Sequence, residues 1–301
     1  YPKAYGRTRR ADFFKEGKLM RIAIASGKGG TGKTTAATNL ALVIAGRGEA
    51  VTYVDCDVEE PNGHIFLKPD INQTEHAVLP YPVVDVDRCI SCGKCAEICQ
   101  YRAIIMLGET PYVAPEMCHA CGGCWIVCPV DAITPADREI GVVERGKSGG
   151  IRFVHGKLKI GQTLSPPLIR KVKNLITDEG VTVIDCPPGT SCPVVTAIHG
   201  ADYVLLVTEP TPFGLNDLKL AVGVIEKLKI PYGVFVNRAD IGTGETRRFC
   251  NQRHISILAS FPDNRTVAEA FSRGTIASEV LPEVREIFEQ LYEKISQKVS
   301  P

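Results

Sequence analysis

One run of eight residues, Gly27-Lys28-Gly29-Gly30-Thr31-Gly32-Lys33-Thr34, restricts this chain more than any other. It fits G-x-x-x-x-G-K-[ST], and its flanks decide what that pattern means. Before it lies Arg21–Ser26, a short β-favouring run. After it a helix is expected from Thr34 to about Ala45, with Ala37, Leu40, Ala41 and Ile44 at helical spacing. Gly46 and Gly48 stop it. A strand, a glycine loop and a helix in that order make a phosphate cradle. The glycines let backbone N–H groups converge on phosphate oxygens, and the helix N-terminus adds positive potential there. Lys33 is expected on the β- and γ-phosphates and the Thr34 hydroxyl on Mg²⁺, with Thr35 beside them.

Strand Val51–Asp55 follows the helix, which opens a parallel α/β sheet. The alternation breaks off from about Tyr81 to Val142, a stretch rich in Cys, Pro and Gly, and returns after Gly149 and Gly150. Later strands are expected at Val181–Asp185, Tyr203–Thr208, Tyr232–Asn237 and Ser256–Phe261. Helices are expected at Pro167–Thr177, Asn216–Leu228, Glu245–Gln252, Thr266–Arg273 and Pro282–Val299. The last places Val284, Ile287, Phe288, Leu291 and Ile295 on one face, as a core-packing helix does. The fold class is therefore α/β, a parallel sheet with helices on both faces. It is interrupted by a small α+β insert at 82–141 and preceded by a basic arm at 1–19.

Twelve cysteines need a reason, and eight of them fall between Cys89 and Cys128. They form two runs of C-x2-C-x2-C-x3-C, and the second repeats the first 29 residues later. In a reducing compartment such a pattern reads as metal or redox chemistry rather than disulfides. Zinc is open to any C-x2-C pair, but the tandem pattern points to iron. Residues 82–141 resemble a bacterial-type ferredoxin with two 4Fe–4S clusters. The resemblance implies crossed ligation, because the fourth cysteine of each run serves the other cluster. One set is Cys89, Cys92, Cys95 and Cys128; the other is Cys118, Cys121, Cys124 and Cys99. Pro129 follows Cys128 as in that pattern, whereas Gln100 follows Cys99. His119 reads as a loop residue and Trp125 as packing.

Lys28, directly after the first glycine, gives the phosphate loop a second lysine. In this it resembles the deviant Walker A of the MinD-type family, which includes the nitrogenase iron protein and Mrp-like ATPases. The resemblance covers about residues 20–75 and 150–295. It implies that ATP binds with Mg²⁺ in a nucleotide-dependent homodimer, with Lys28 reaching the partner's nucleotide. Val54-Asp55-Cys56-Asp57 resembles switch I, where Asp57 orients the attacking water. Val183-Ile184-Asp185-Cys186-Pro187-Pro188-Gly189-Thr190 resembles the Walker B strand and switch II. Asp185 then binds Mg²⁺ through a water and the Gly189 backbone senses the γ-phosphate. Asn237 resembles the residue facing the adenine, although an ordinary strand-end turn also explains it.

Thirty-five basic and 34 acidic residues leave a net charge of +1, so nothing calls for nucleic acid or an anionic membrane. No apolar run is long enough to span a bilayer and no export signal is seen, so the expected compartment is the cytoplasm. The leading expectation is ATP-gated redox work with a redox or iron–sulfur partner protein. The rival is an iron–sulfur cluster carrier. Mrp-like carriers use a late C-x-x-C pair, and none follows Cys128 here. A membrane-cycling spatial organiser would need a basic amphipathic tail, which is missing. Cys192, seven residues after Asp185, has the offset of a cluster-holding cysteine in the nitrogenase iron protein. It reads more simply as a small buried residue at a helix start.

Overall fold

The structure, a computed structural model, describes residues 19–299. All but the last residue of the basic arm expected at 1–19 therefore lies outside the described residues. Strand β1 (Met20–Ala25) runs through the glycine loop into α1 (Lys33–Gly46), which returns to β2 (Val51–Asp55). A short α2 (Gly63–Leu67) leads to a long strand, β3 (Asp70–Val84). The cysteine-rich stretch then forms α3 (Lys94–Ile98), β4 (Ile104–Leu107), β5 (Thr110–Val113) and α4 (Gly123–Ile126). The chain returns along β6 (Ile133–Ser148) and turns into β7 (Ile151–Leu158). Regular alternation follows with α5 (Pro166–Lys173), β8 (Val181–Asp185), α6 (Cys192–Ile198), β9 (Tyr203–Thr208) and α7 (Pro212–Leu228). It closes with β10 (Tyr232–Val236), α8 (Glu245–Gln252), β11 (Ile257–Ser260), α9 (Arg265–Ser272), α10 (Ala277–Val280) and α11 (Pro282–Val299).

Nine strands form one sheet in the order β11-β10-β9-β1-β8-β2-β7-β6-β3. From β11 to β7 every neighbour is parallel. Near-continuous apolar strands such as Val181-Thr-Val-Ile184 are what such a sheet requires, because helices cover both faces. One face packs against α1, α10 and α11, where Tyr53, Phe153 and Val183 of the sheet share a core with Leu40, Phe288 and Leu291 of the helices. The other packs against α5, α6 and α7, where Val54 and Ile184 of the sheet share a core with Leu168, Ile198 and Leu218 of the helices. In α11 the expected face is the buried one, with Val284, Phe288, Leu291 and Ile295 inside.

At one edge the all-parallel expectation is corrected. β6 runs antiparallel to both β7 and β3. The cause is local: only Gly149 and Gly150 separate the paired Ser148 and Ile151, and a two-residue turn can join only antiparallel strands. Two further features hid β3, namely Pro80 and Pro82 and a polar, exposed first half. Proline is tolerated there because the strand lies at the sheet edge.

The insert is not tied on by loops. Residues 82 and 141 lie inside β3 and β6, which run unbroken from the main sheet to the cysteine-rich unit. Pairing of β6 with β7 stops at Gly141, so beyond it the two strands leave the sheet as a paired arm. Ile140 is an extra residue there, since Ala77 pairs with Gly141 and Val78 with Glu139. Such a bulge bends and twists the ribbon.

Gly141 is needed at that point. A Cβ on it would sit 2.3 Å from the Lys157 carbonyl oxygen and 2.9 Å from Leu168 Cδ2. Gly141→Ala should therefore push β6 off β7 and cost about 1–3 kcal/mol, seen as a lower urea midpoint. An unchanged midpoint would mean that the junction is looser than its packing shows.

Candidate functional site

The glycine loop sits where β1 ends and α1 begins, at the carboxyl edge of the parallel strands. Gly30 and Gly32 have φ of +78° and +95°, values that a side chain resists. A Cβ on Gly29 or Gly30 would meet nothing within 4 Å, whereas one on Gly27 would strike the Asp217 carbonyl at 2.3 Å. The loop is thus tight at its root and open along its concave side. The first turn of α1 leaves its N–H groups facing the same space. A cavity of about 400 Å³ opens there, lined by Gly29, Gly30, Gly32, Lys33, Thr34 and Thr35. Asp57, Pro188 and Asn237 line it as well.

Beneath the cavity lie two carboxylates without water. Asp55 and Asp185 end β2 and β8, directly opposite each other, and are 0% and 1% exposed. Tyr53 lies two residues before Asp55 on the same face, and its hydroxyl donates to Asp185 Oδ2 at 2.9 Å. Asp55 accepts from the N–H groups of Asp57 and Gly63, each at 3.0 Å. Burial and the Asp185 charge hold the Asp55 carboxyl well above the usual range, against the pull of those two N–H bonds. Burial also raises Asp185, while the Thr34 hydroxyl and the Lys33 ammonium draw it back. Asp57 is pushed up to about 6, by burial and then by Asp185, with Lys33 opposing.

The donor set fits Mg²⁺. Asp185 Oδ1 is buried with no hydrogen-bond partner, and the Thr34 hydroxyl is close enough to influence that carboxyl. A hard cation bound by oxygen would satisfy both.

The surroundings of Lys28, Gly189, Asn237 and Cys192 bear on their expected roles. Lys28 is half-buried and is not part of the lining of its own cavity. The Gly189 N–H donates to the Ser26 carbonyl at 3.1 Å, so it is committed to the root of the loop. Asn237 lines the cavity, but its side chain donates to the Thr31 carbonyl at 3.0 Å and accepts from the Arg238 N–H at 3.1 Å. It braces the loop. Cys192 is the first residue of α6, as expected, yet it is exposed rather than buried. Sequence reasoning missed Arg238, which bridges Glu209 and Asp263 at 3.3 Å each, and Tyr53. Strand alternation from Asp55 would have found Tyr53.

The eight clustered cysteines fall into two groups around two small cavities. Cys89, Cys92, Cys95 and Cys128 line one; Cys99, Cys118, Cys121 and Cys124 line the other. The repeat is visible in the backbone: Ser91 and Ala120, Gly93 and Gly122, and Arg102 and Asp131 all have positive φ, each pair 29 residues apart. N–H groups of Ala103 and Ala132 donate to Cys99 and Cys128 Sγ, both at 3.3 Å. The thiols surround a space rather than a point. Among the described residues no three His, Cys, Asp or Glu side chains converge closely enough to hold a single metal ion. Burial pushes Cys124 up to about 11 and raises Cys95, so a bound cation is what would make them thiolates. Trp125 packs against this small core, and His119 stacks on Tyr101 with ring centroids 3.6 Å apart.

Residues 22–277 match the CobQ/CobB/MinD/ParA nucleotide binding domain. The chain belongs to that family. An uncharacterized protein of Methanocaldococcus jannaschii is 30% identical over 285 residues, covering 93% of this chain and 98% of the relative. An iron-sulfur cluster carrier protein of Pyrococcus horikoshii is 24% identical, over 93% of this chain and 86% of the relative. The septum site-determining protein MinD of Pyrococcus horikoshii, solved with Mg-ADP, superposes with a TM-score of 0.59 at 21% identity. That match covers 92% of this chain and 96% of MinD, and shows a shared fold. No helix among the described residues is long and apolar enough to cross a membrane.

The state of Asp57 has a consequence for pH. If it orients the attacking water as a carboxylate, kcat/KM for ATP should rise as pH climbs through about 6 and then level off. Asp57→Asn should lower the plateau and remove that limb. A wild-type profile flat from about pH 5 to pH 8 would take Asp57 out of the chemistry.

Proposed function

We propose that this chain is a Mg²⁺-dependent ATPase that couples ATP-dependent dimerisation to electron transfer through two 4Fe–4S clusters. One observation carries the reading. Two crossed sets of four cysteines each line their own cavity, and the strands bearing that unit continue into the nucleotide-site sheet.

Hydrolysis of ATP asks the protein mainly to position groups and neutralise charge. Residues 29–35 and the α1 terminus would hold the phosphates, with Lys33 inside the loop as a fixed positive charge. Thr34 and Asp185 would hold Mg²⁺, which when bound offsets the charge of the phosphate oxygens. Asp57 lines the cavity and would orient water. Lys28 is not part of the lining of its own cavity, which leaves it free for a role in the site of a second copy. Cys89, Cys92, Cys95 and Cys128 would hold one cluster and Cys99, Cys118, Cys121 and Cys124 the other; such clusters carry single electrons. The expected partner is a redox or iron–sulfur protein.

A second reading, cluster delivery, is favoured by the name of the Pyrococcus horikoshii relative. Against it, no C-x-x-C pair follows Cys128, and Cys192 stands alone on the surface. Anaerobically purified protein should contain about eight irons and eight acid-labile sulfides per chain, and retain them with Mg-ATP. Stoichiometric zinc without labile sulfide would end the cluster reading. Transfer of the iron to an apo acceptor on adding Mg-ATP would favour delivery.

A further inference from the structure

A row of polar residues crosses the sheet from the nucleotide site to the arm. Asp185 on β8 pairs in register with Asp55 on β2, Asp55 with His155 on β7, and His155 with Glu144 on β6. Directly paired residues point to the same face. This face is otherwise apolar, with Tyr53, Val183, Ile151 and Phe153 around the row. Asp55 and His155 are both 0% exposed. Burying such groups is costly unless their partners are held in place, so a row of this kind is sensitive to small shifts.

The short helix α2 bridges the row. Its first residue, Gly63, donates its N–H to Asp55. The next, His64, packs edge-on against the His155 ring, with centroids 5.4 Å apart. On the far side, His155 Nε2 meets Glu144 Oε2 at 2.6 Å, and Lys157 Nζ meets the same oxygen at 2.8 Å. Burial lowers the His155 pKa despite the pull of Glu144, and the carboxylate facing Nε2 makes that nitrogen the donor. His155 Nδ1 and His64 Nδ1 are then both buried and without a partner. Two bare ring nitrogens at one contact mark an arrangement that a shift of α2 would change.

Both ends of the row matter to function. α2 follows immediately on residues 56–62, which include Asp57, Glu60 and Asn62 of the cavity lining. Glu144 lies three residues beyond Gly141, where β6 parts from β7. From Glu144 to Ile133, at the edge of the cysteine unit, β6 is one continuous strand of about 36 Å.

We propose that His64, His155 and Glu144 act as a relay that transmits the nucleotide state of residues 56–62 to the arm bearing the cysteine unit. His155 and Glu144 are positioning residues: they touch neither nucleotide nor cysteine. ATP would bias the position of α2, and the His64–His155–Glu144 contact would carry that bias to β6 beside the bulge. The relay rests on the nucleotide-site reading above, and it stands whether the cysteine unit transfers electrons or delivers clusters.

Hydrogen exchange on the full chain, purified anaerobically, tests it. Rates are compared with and without Mg²⁺ and a non-hydrolysable ATP analogue, in the phosphate loop and in arm residues 78–84 and 133–141. In wild-type protein the analogue should protect the loop and change arm exchange severalfold. His155→Phe should keep the loop protection and lose the arm response, while His155→Gln, which retains a donor for Glu144, should restore it. His64→Ala breaks the other end of the relay at a half-buried position, and should behave like His155→Phe even if that variant folds poorly. Loop protection with no arm response in the wild type would overturn the relay and leave the nucleotide reading intact. A full arm response in both His64→Ala and His155→Phe would also overturn it. No loop protection in the wild type would overturn the nucleotide reading and the relay with it.

Discussion

Asp55 and Asp185, paired in register and almost completely buried, set the terms for the rest of the site. Two carboxylates side by side without water cannot both hold a charge unprovided for. Three features answer that demand: the Tyr53 hydroxyl, the N–H groups of Asp57 and Gly63, and the Lys33 ammonium. All three depend on β2 and β8 being neighbours and on β1 lying next to β8. That strand order places the glycine loop above the acids and turns α1 toward them. What stays unanswered is Asp185 Oδ1, and a divalent cation brought by a nucleotide is the natural complement.

The same constraint explains how a second module can be attached without a flexible linker. β2 has β7 on its other side, and the tight Gly149–Gly150 turn adds β6 antiparallel to it. β6 and β3 then extend past the sheet as a paired arm. The arm is strand throughout, with its bulge at Ile140, so the cysteine unit is joined to the sheet edge by paired backbone rather than by loops. A paired-strand attachment of this kind suits coupling better than a flexible loop does.

Much of this was legible in the sequence because the signals are local. Val51–Asp55, Val181–Asp185, Tyr203–Thr208, Glu245–Gln252 and Pro282–Val299 have the bounds that their residue patterns predict. The phosphate loop and the two cysteine runs are local as well, and their residues line three cavities. What escaped was non-local. β3 is a strand only because β6 pairs with it; its own prolines and polar residues read as loop. Asn237 donates its amide to the Thr31 carbonyl, 206 residues away in sequence. His155 and Glu144 carry no motif, and only the strand register brings them into line with Asp55. α7 begins four residues earlier than its apolar pattern, because Thr211 caps it by accepting from the Gly214 N–H.

The central claim is that one chain joins an ATP site to a pair of redox centres so that each influences the other. Linkage makes that claim measurable: if ATP prefers one redox state, it must shift the potential of the clusters. The most direct measurement is a spectroscopically monitored redox titration of the anaerobic protein, alone and with Mg²⁺ and a non-hydrolysable ATP analogue. The account predicts two cluster signals, at least one of which changes its midpoint potential when the nucleotide binds. Identical midpoints in the two titrations, with the nucleotide site demonstrably filled, would contradict it.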